Sequence, residues 1–167
     1  MDLLTPDASL WIWAILFLLV FFVAGVLFLL SQQNTLKAIR PENRELNPGQ
    51  VWLQLIPLFN LYWQFIVVTR IADSISRQNA SFQDDSILGI PDYDAVEAIG
   101  QRPTYNIGMA YCILFLINTV FSYIPDLKMM QGLVALGAIT CWGIYWVKLL
   151  ENKRKIQKLQ RVADSGF

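Results

Sequence analysis

Residues Leu10 to Leu30 are 21 consecutive apolar residues, LWIWAILFLLVFFVAGVLFLL, without a charge, an amide or a hydroxyl. At 1.5 Å rise per residue this helix is about 31 Å long, close to the hydrocarbon thickness of a bilayer. A helix that is apolar all round has no face to offer water, so lipid is the solvent that suits it. The flank Met1–Ser9 carries no Lys or Arg, and no small-x-small pattern follows the run before Ser31-Gln32-Gln33-Asn34. The run also exceeds the length of a signal-peptide core, so the expectation is a retained membrane helix.

Three further apolar runs follow: Val51–Val68, Ile107–Ile124 and Met129–Val147, each 18 or 19 residues long. That length is enough to span. Pro6, Pro48 and Pro103 each stand a few residues ahead of an apolar run, with Thr5 and Asn47 placed to cap. Pro41 stops the first helix after its extension through Leu36 and Ile39. Pro125 and Asp126 turn the third run directly into the fourth, which predicts a helical hairpin. Pro57 lies inside the second run, where loss of a backbone donor and a clash one turn back predict a kink. The expected architecture is all-α: a single polytopic membrane domain over 1–167. Its four transmembrane helices are expected at about 6–39, 48–78 (kinked at Pro57), 103–124 and 127–163, with a polar acidic loop at 79–102 and a basic C-terminal helical extension.

The residue inventory excludes much chemistry. Thirteen basic residues balance thirteen acidic ones, which offers nucleic acid no attraction. There is no histidine, the usual metal ligand and neutral-pH base. No G-x-S-x-G element, phosphate loop or dinucleotide fingerprint occurs. The acidic residues Asp84, Asp85, Asp92, Asp94 and Glu97 fit no EF-hand spacing, and Asp94–Glu97 reads as a capping box opening a short helix that ends at Gly100. No catalytic residue, cofactor or metal is therefore expected. The four runs contain no Asp, Glu, Lys, Arg or His, which argues against a proton relay. Their polar residues include Gln54, Asn60, Gln64, Asn118, Thr119 and Gln131, so an amide-lined passive pore in an oligomer stays open.

Packing signals are clearer. Gly108 and Cys112, and Gly137 and Cys141, are small-xxx-small pairs on the predicted hairpin, which let two backbones approach. Both cysteines read as small packing residues. Asn60 and Gln64 are four apart and share a helix face directed at other helices, as packing polar groups or as the lining of a path. The tail carries Lys148, Lys153, Arg154, Lys155, Lys158 and Arg161 within fourteen positions. Lys153, Arg154, Lys155 and Lys158 suit anionic lipid headgroups. The recurrence of Leu149, Ile156 and Ala163 every seven residues leaves a partner-binding helix as the alternative.

Two topologies compete. With four crossings, nine Lys/Arg share the side of both termini against four on the other. If the second run instead folds back at Pro57, the split becomes twelve to one with the N-terminus outside. Charge favours the second arrangement and hydrophobic length favours the first, which is the expectation adopted. Either way the C-terminus is cytoplasmic.

The segment Asn47–Ile75, NPGQVWLQLIPLFNLYWQFIVVTRIADSI, with the GIYW-and-basic ending at Gly143–Lys155, resembles small bacterial multi-spanning membrane proteins of unknown function. Its strongest element is a PG-x-x-WL-x-LIP-x-FN-x-x-W string carried by Pro48, Gly49, Trp52, Leu53, Leu55, Ile56, Pro57, Phe59, Asn60 and Trp63. The resemblance implies a bacterial inner membrane and no particular reaction. The expected function is a non-catalytic subunit or scaffold of a membrane assembly, partnered by lipid and by other membrane subunits or a second copy. A small oligomeric channel or transporter component, or a surface sensor acting through the basic tail, are the alternatives.

Overall fold

The computed structural model describes residues 6–86 and 102–165. Among these every regular element is helical. Four α-helices carry the fold: α1 (Pro6–Ala38), α2 (Pro57–Ser86), α3 (Tyr105–Phe121) and α4 (Lys128–Ser165). Shorter 3-10 helices at Pro41–Asn43, Pro48–Leu55 and Pro125–Leu127 join them. Each 3-10 piece starts on a proline, whose fixed φ suits a first helical position and whose missing N–H would have been unpaired there.

The second apolar run corrects the expectation of one kinked helix over 48–78. Asn47 caps Pro48–Leu55 reciprocally: its Oδ1 accepts from the Gly49 N–H at 3.3 Å, and its own N–H donates to Gln50 Oε1 at 3.2 Å. The helix ends because Ile56 is extended, at φ −83° and ψ 111°. A residue before proline is pushed out of the α region, and Pro57 then opens α2 with the Ile56 carbonyl accepting from the Asn60 N–H at 2.8 Å. The chain reverses there. Trp63 Nε1 donates to the Gln50 carbonyl at 2.9 Å, and the Glu45 N–H donates to Ser74 Oγ at 2.8 Å. Partner numbers rise on one strand of the hairpin as they fall on the other, so the two pieces are antiparallel. Both ends of the run consequently lie at the same end of the bundle.

Helix α2 also continues to Ser86, past its expected end, so the start of the expected 79–102 loop is helical. The rest of that loop, with the Asp94–Glu97 capping box and Gly100, falls outside the described residues.

Helices α3 and α4 form the expected hairpin through Pro125–Leu127. Gly108 lies against Tyr145, and Leu114 against Gly137, which sets them antiparallel. Helix α1 runs parallel to α4: Trp146 Nε1 donates to Ser31 Oγ at 2.8 Å and Gln160 Nε2 to the Ala38 carbonyl at 2.9 Å.

The core is built where the C-terminal part of α1 meets the other helices. Leu36, Ile39, Val51, Val67, Ile71, Tyr145, Leu149 and Ile156 are all fully buried there. The same end is polar outside. Glu45 holds Arg70 and Arg77, and Arg102 pairs with Asp73 at 3.0 Å. Helix α1 stops at Ala38, and the Arg40 N–H is taken up by Gln78 Oε1 at 2.8 Å.

At the opposite end α1 stands clear of the bundle. Every residue from Leu10 to Val23 is exposed, and only 11% of the most apolar window of α1 is buried. Ser9–Ala38 and Pro125–Val162 are long and apolar enough to cross a membrane, and Tyr105–Phe121 is a shorter apolar helix.

Candidate functional site

Above the core, Gln54, Leu55 and Asn60 of the Pro57 reversal face α1, α3 and α4 across a common pocket. Together these parts line an open pocket of about 400 Å³. Its wall is apolar and aromatic, with Gly25 and Phe28 from α1, Tyr111 and Phe115 from α3, and Ala138 and Trp142 from α4. Three amides break that surface: Gln54 from the 3-10 helix, Asn60 from α2 and Asn118 from α3. Among the described residues no charged side chain lines it.

Phe28 organises the floor. Its ring meets Tyr111, Trp142, Tyr145 and Trp146 edge-on, with centroids 5.4 to 6.3 Å apart. Such edge-to-face contacts suit the aromatic quadrupole and fix ring orientation. Tyr111 in turn stacks on Tyr145, with centroids 6.4 Å apart.

A second set of polar side chains is sealed inside the bundle, joined to the pocket wall through Gln54. Gln54 Nε2 donates to Gln32 Oε1 at 2.6 Å and to the Val51 carbonyl at 3.1 Å, tying α1 to the 3-10 helix. Gln32, Gln64 and the Tyr145 hydroxyl are fully buried, and both amide atoms of Gln64 lack a hydrogen bond to the described residues.

The residues singled out from sequence therefore separate. Asn60 reaches the cavity, and Gln64, one turn along the same face, is sealed between helices. Gly108 is a point of close approach: a Cβ there would lie 2.5 Å from Val68 Cγ1 and 2.9 Å from Tyr145 Cε2. It touches α2 as well as α4. Cys112 is buried beside it. Gly137 is looser, since a Cβ would meet only Leu114 Cδ1 at 3.6 Å, and Cys141 is half-buried.

Lys153 is half-buried, and Arg154, Lys155 and Lys158 are exposed. Among the described residues no carboxylate pairs with any of the four. Leu149 and Ile156 point the other way, into the bundle's own core, so that part of the seven-residue recurrence is internal packing. Among the described residues no group of three or more His, Cys, Asp or Glu side chains could hold a metal.

The sequence places Gln54 and Asn118 among the amides that could line a pore, without joining them to one site, and gives no signal for Gln32. The signal for the first two is an isolated amide inside an apolar run. Compared with known protein families, with curated proteins and with solved structures, the chain matches none.

Proposed function

We propose that the chain is a non-catalytic integral membrane protein, a subunit or scaffold of a membrane assembly, seated in a bacterial inner membrane with its C-terminus cytoplasmic. In this reading α1, α3 and α4 cross the bilayer. The Pro57 hairpin enters from the cytoplasmic side and returns to it, replacing one of the four crossings first expected.

The observation that carries the proposal is the free part of α1. Fourteen consecutive residues, Leu10 to Val23, are exposed around the whole helix. Trp11 is 71% exposed and Leu18 71%, values no water-soluble bundle would tolerate along an entire helix. In lipid such a helix offers a full circumference for a neighbouring helix to pack on. The charge distribution supports the orientation. With both flanks of the hairpin on one side, twelve Lys/Arg share the cytoplasmic face and Lys128 stands on the other. The unpaired cations of α4 then lie where anionic headgroups are found.

The test is a photo-crosslinking amino acid placed at Trp13, Phe17 and Val20 of the full chain in native membranes. A discrete protein adduct from at least one face of α1 is expected, from a second copy or from another subunit. Lipid adducts alone at all three positions, together with a monomer in mild detergent, would overturn the reading.

A further inference from the structure

The pocket at the tip of the Pro57 hairpin does not depend on whether α1 finds a partner, and it rests on the proposed reading only for its seat in the membrane. Its wall comes from the middle of α1, α3 and α4, so in a bilayer it lies at hydrocarbon depth. Anything that enters it comes from the lipid phase. Its volume of about 400 Å³ falls within the range of roughly 300–1,000 Å³ usual for small-molecule sites.

The lining limits the chemistry of the occupant. Among the described residues no charged side chain faces the cavity, so a carboxylate or phosphate would lose its hydration without compensation. A pure hydrocarbon would leave amides unsatisfied. Gln54 has its Nε2 engaged by Gln32 and the Val51 carbonyl, which leaves its Oε1 as the acceptor toward the cavity. The side chains of Asn60 and Asn118 make no hydrogen bond to any described residue. Asn118 has its Oδ1 buried without a partner, and its amide N–H₂ donates to no described residue. The site thus presents an acceptor and a donor within one apolar chamber. A hydroxyl group, which both donates and accepts, satisfies both.

We propose that the cavity binds a neutral lipid alcohol, with its hydroxyl among Gln54, Asn60 and Asn118 and its chain along the aromatic wall of Phe28 and Trp142. Gly25 makes room for the chain: a Cβ built at that position meets no atom within 4 Å. A larger residue at 25 would therefore fill the chamber without disturbing the packing beneath it.

The test uses the purified full chain in detergent micelles, with 12-bromododecan-1-ol as a probe whose bromine quenches nearby tryptophan. Saturable quenching is expected, competed by dodecan-1-ol and lost largely in Trp142→Phe. Gly25→Leu should abolish the saturable component. Asn118→Leu should weaken binding about tenfold, the loss of one buried hydrogen bond. Dodecane and dodecanoate should compete at least tenfold less well than dodecan-1-ol. Unchanged affinity in both Gly25→Leu and Asn118→Leu would overturn the proposal. So would equal competition by dodecane, which would make the chamber a general hydrocarbon gap. Should Gly25→Leu fail to fold, Asn118→Leu with the dodecane comparison decides the matter.

Discussion

Gly108→Ala separates true close packing from mere smallness at a helix surface. The added methyl would sit 2.5 Å from Val68 Cγ1 and 2.9 Å from Tyr145 Cε2. Carbon atoms prefer about 3.5–4.0 Å, so the overlap approaches about 1 Å. Neither neighbour can yield. Val68 is 1% exposed and stiff at χ1. The Tyr145 ring is held between Phe28 and Tyr111, at centroid distances of 5.9 and 6.4 Å. Overpacking of this kind costs about 1–3 kcal/mol. Replacing glycine by alanine in a helix returns about 1 kcal/mol. The net expectation is a loss of up to about 2 kcal/mol. Gly137→Ala is the control. Its methyl would lie 3.6 Å from Leu114 Cδ1, an ordinary contact, so the helix term dominates and a gain of up to about 1 kcal/mol is expected. The helix term is common to both, so the two variants should differ by the overpacking cost of about 1–3 kcal/mol, although both change one glycine on one hairpin. Reversible unfolding in mixed micelles of rising dodecyl sulfate content, followed by tryptophan fluorescence, reads the difference. A Gly108→Ala protein as stable as Gly137→Ala, or more so, would refute the reasoning.

Three further outcomes are expected. Gln78→Leu removes the acceptor for the Arg40 N–H at 2.8 Å and for Asn43 Nδ2 at 3.3 Å, and should cost about 1–3 kcal/mol, with faster hydrogen exchange at Arg40. Neutralising Lys153, Arg154 and Lys155 to glutamine should lower retention of phosphatidylglycerol in native mass spectrometry by roughly 100-fold at low salt, at about 1 kcal/mol per charge. In a background with Cys112 and Cys141 replaced by alanine, single cysteines at Asn47 and Glu151 should react with an impermeant maleimide from the cytoplasmic side and one at Asp126 from the other. Labelling of Asn47 from the side of Asp126 would restore the four-crossing arrangement.

What the sequence could disclose depended on how local the cause was. The helix α1 and the α3–α4 hairpin follow from run length and from Pro125-Asp126, and the structure has both. The second run was harder because its length of 18 residues satisfies a membrane crossing as well as a reversal does. Pro57 marks the place of the break, but the direction the chain takes afterwards is settled by bonds to distant partners. The Trp63 indole reaches Gln50, and Glu45 reaches Ser74, Arg70 and Arg77. None of these is visible in a periodicity. The same limit applies to Gly108 and Gly137: their spacing to a cysteine is identical, and only the neighbours on other helices distinguish them.

The charge count of the sequence favours the reversal. Twelve basic residues against one is a steeper asymmetry than nine against four, and it required the second run to return to its own side. The structure supplies a local cause, an extended Ile56 forced by Pro57, and a local reward, since Glu45 meets Arg70 and Arg77 only if the two flanks lie together. Apolar length alone could not weigh these terms, because a hairpin whose arms pack among other helices is as apolar as a helix in lipid. Val51 and Val67 are fully buried by protein, whereas Leu55, Ile56 and Leu58 at the tip are exposed. The same reversal carries Gln54 and Asn60 to the pocket beside Asn118, so the proposed orientation and the site have one origin.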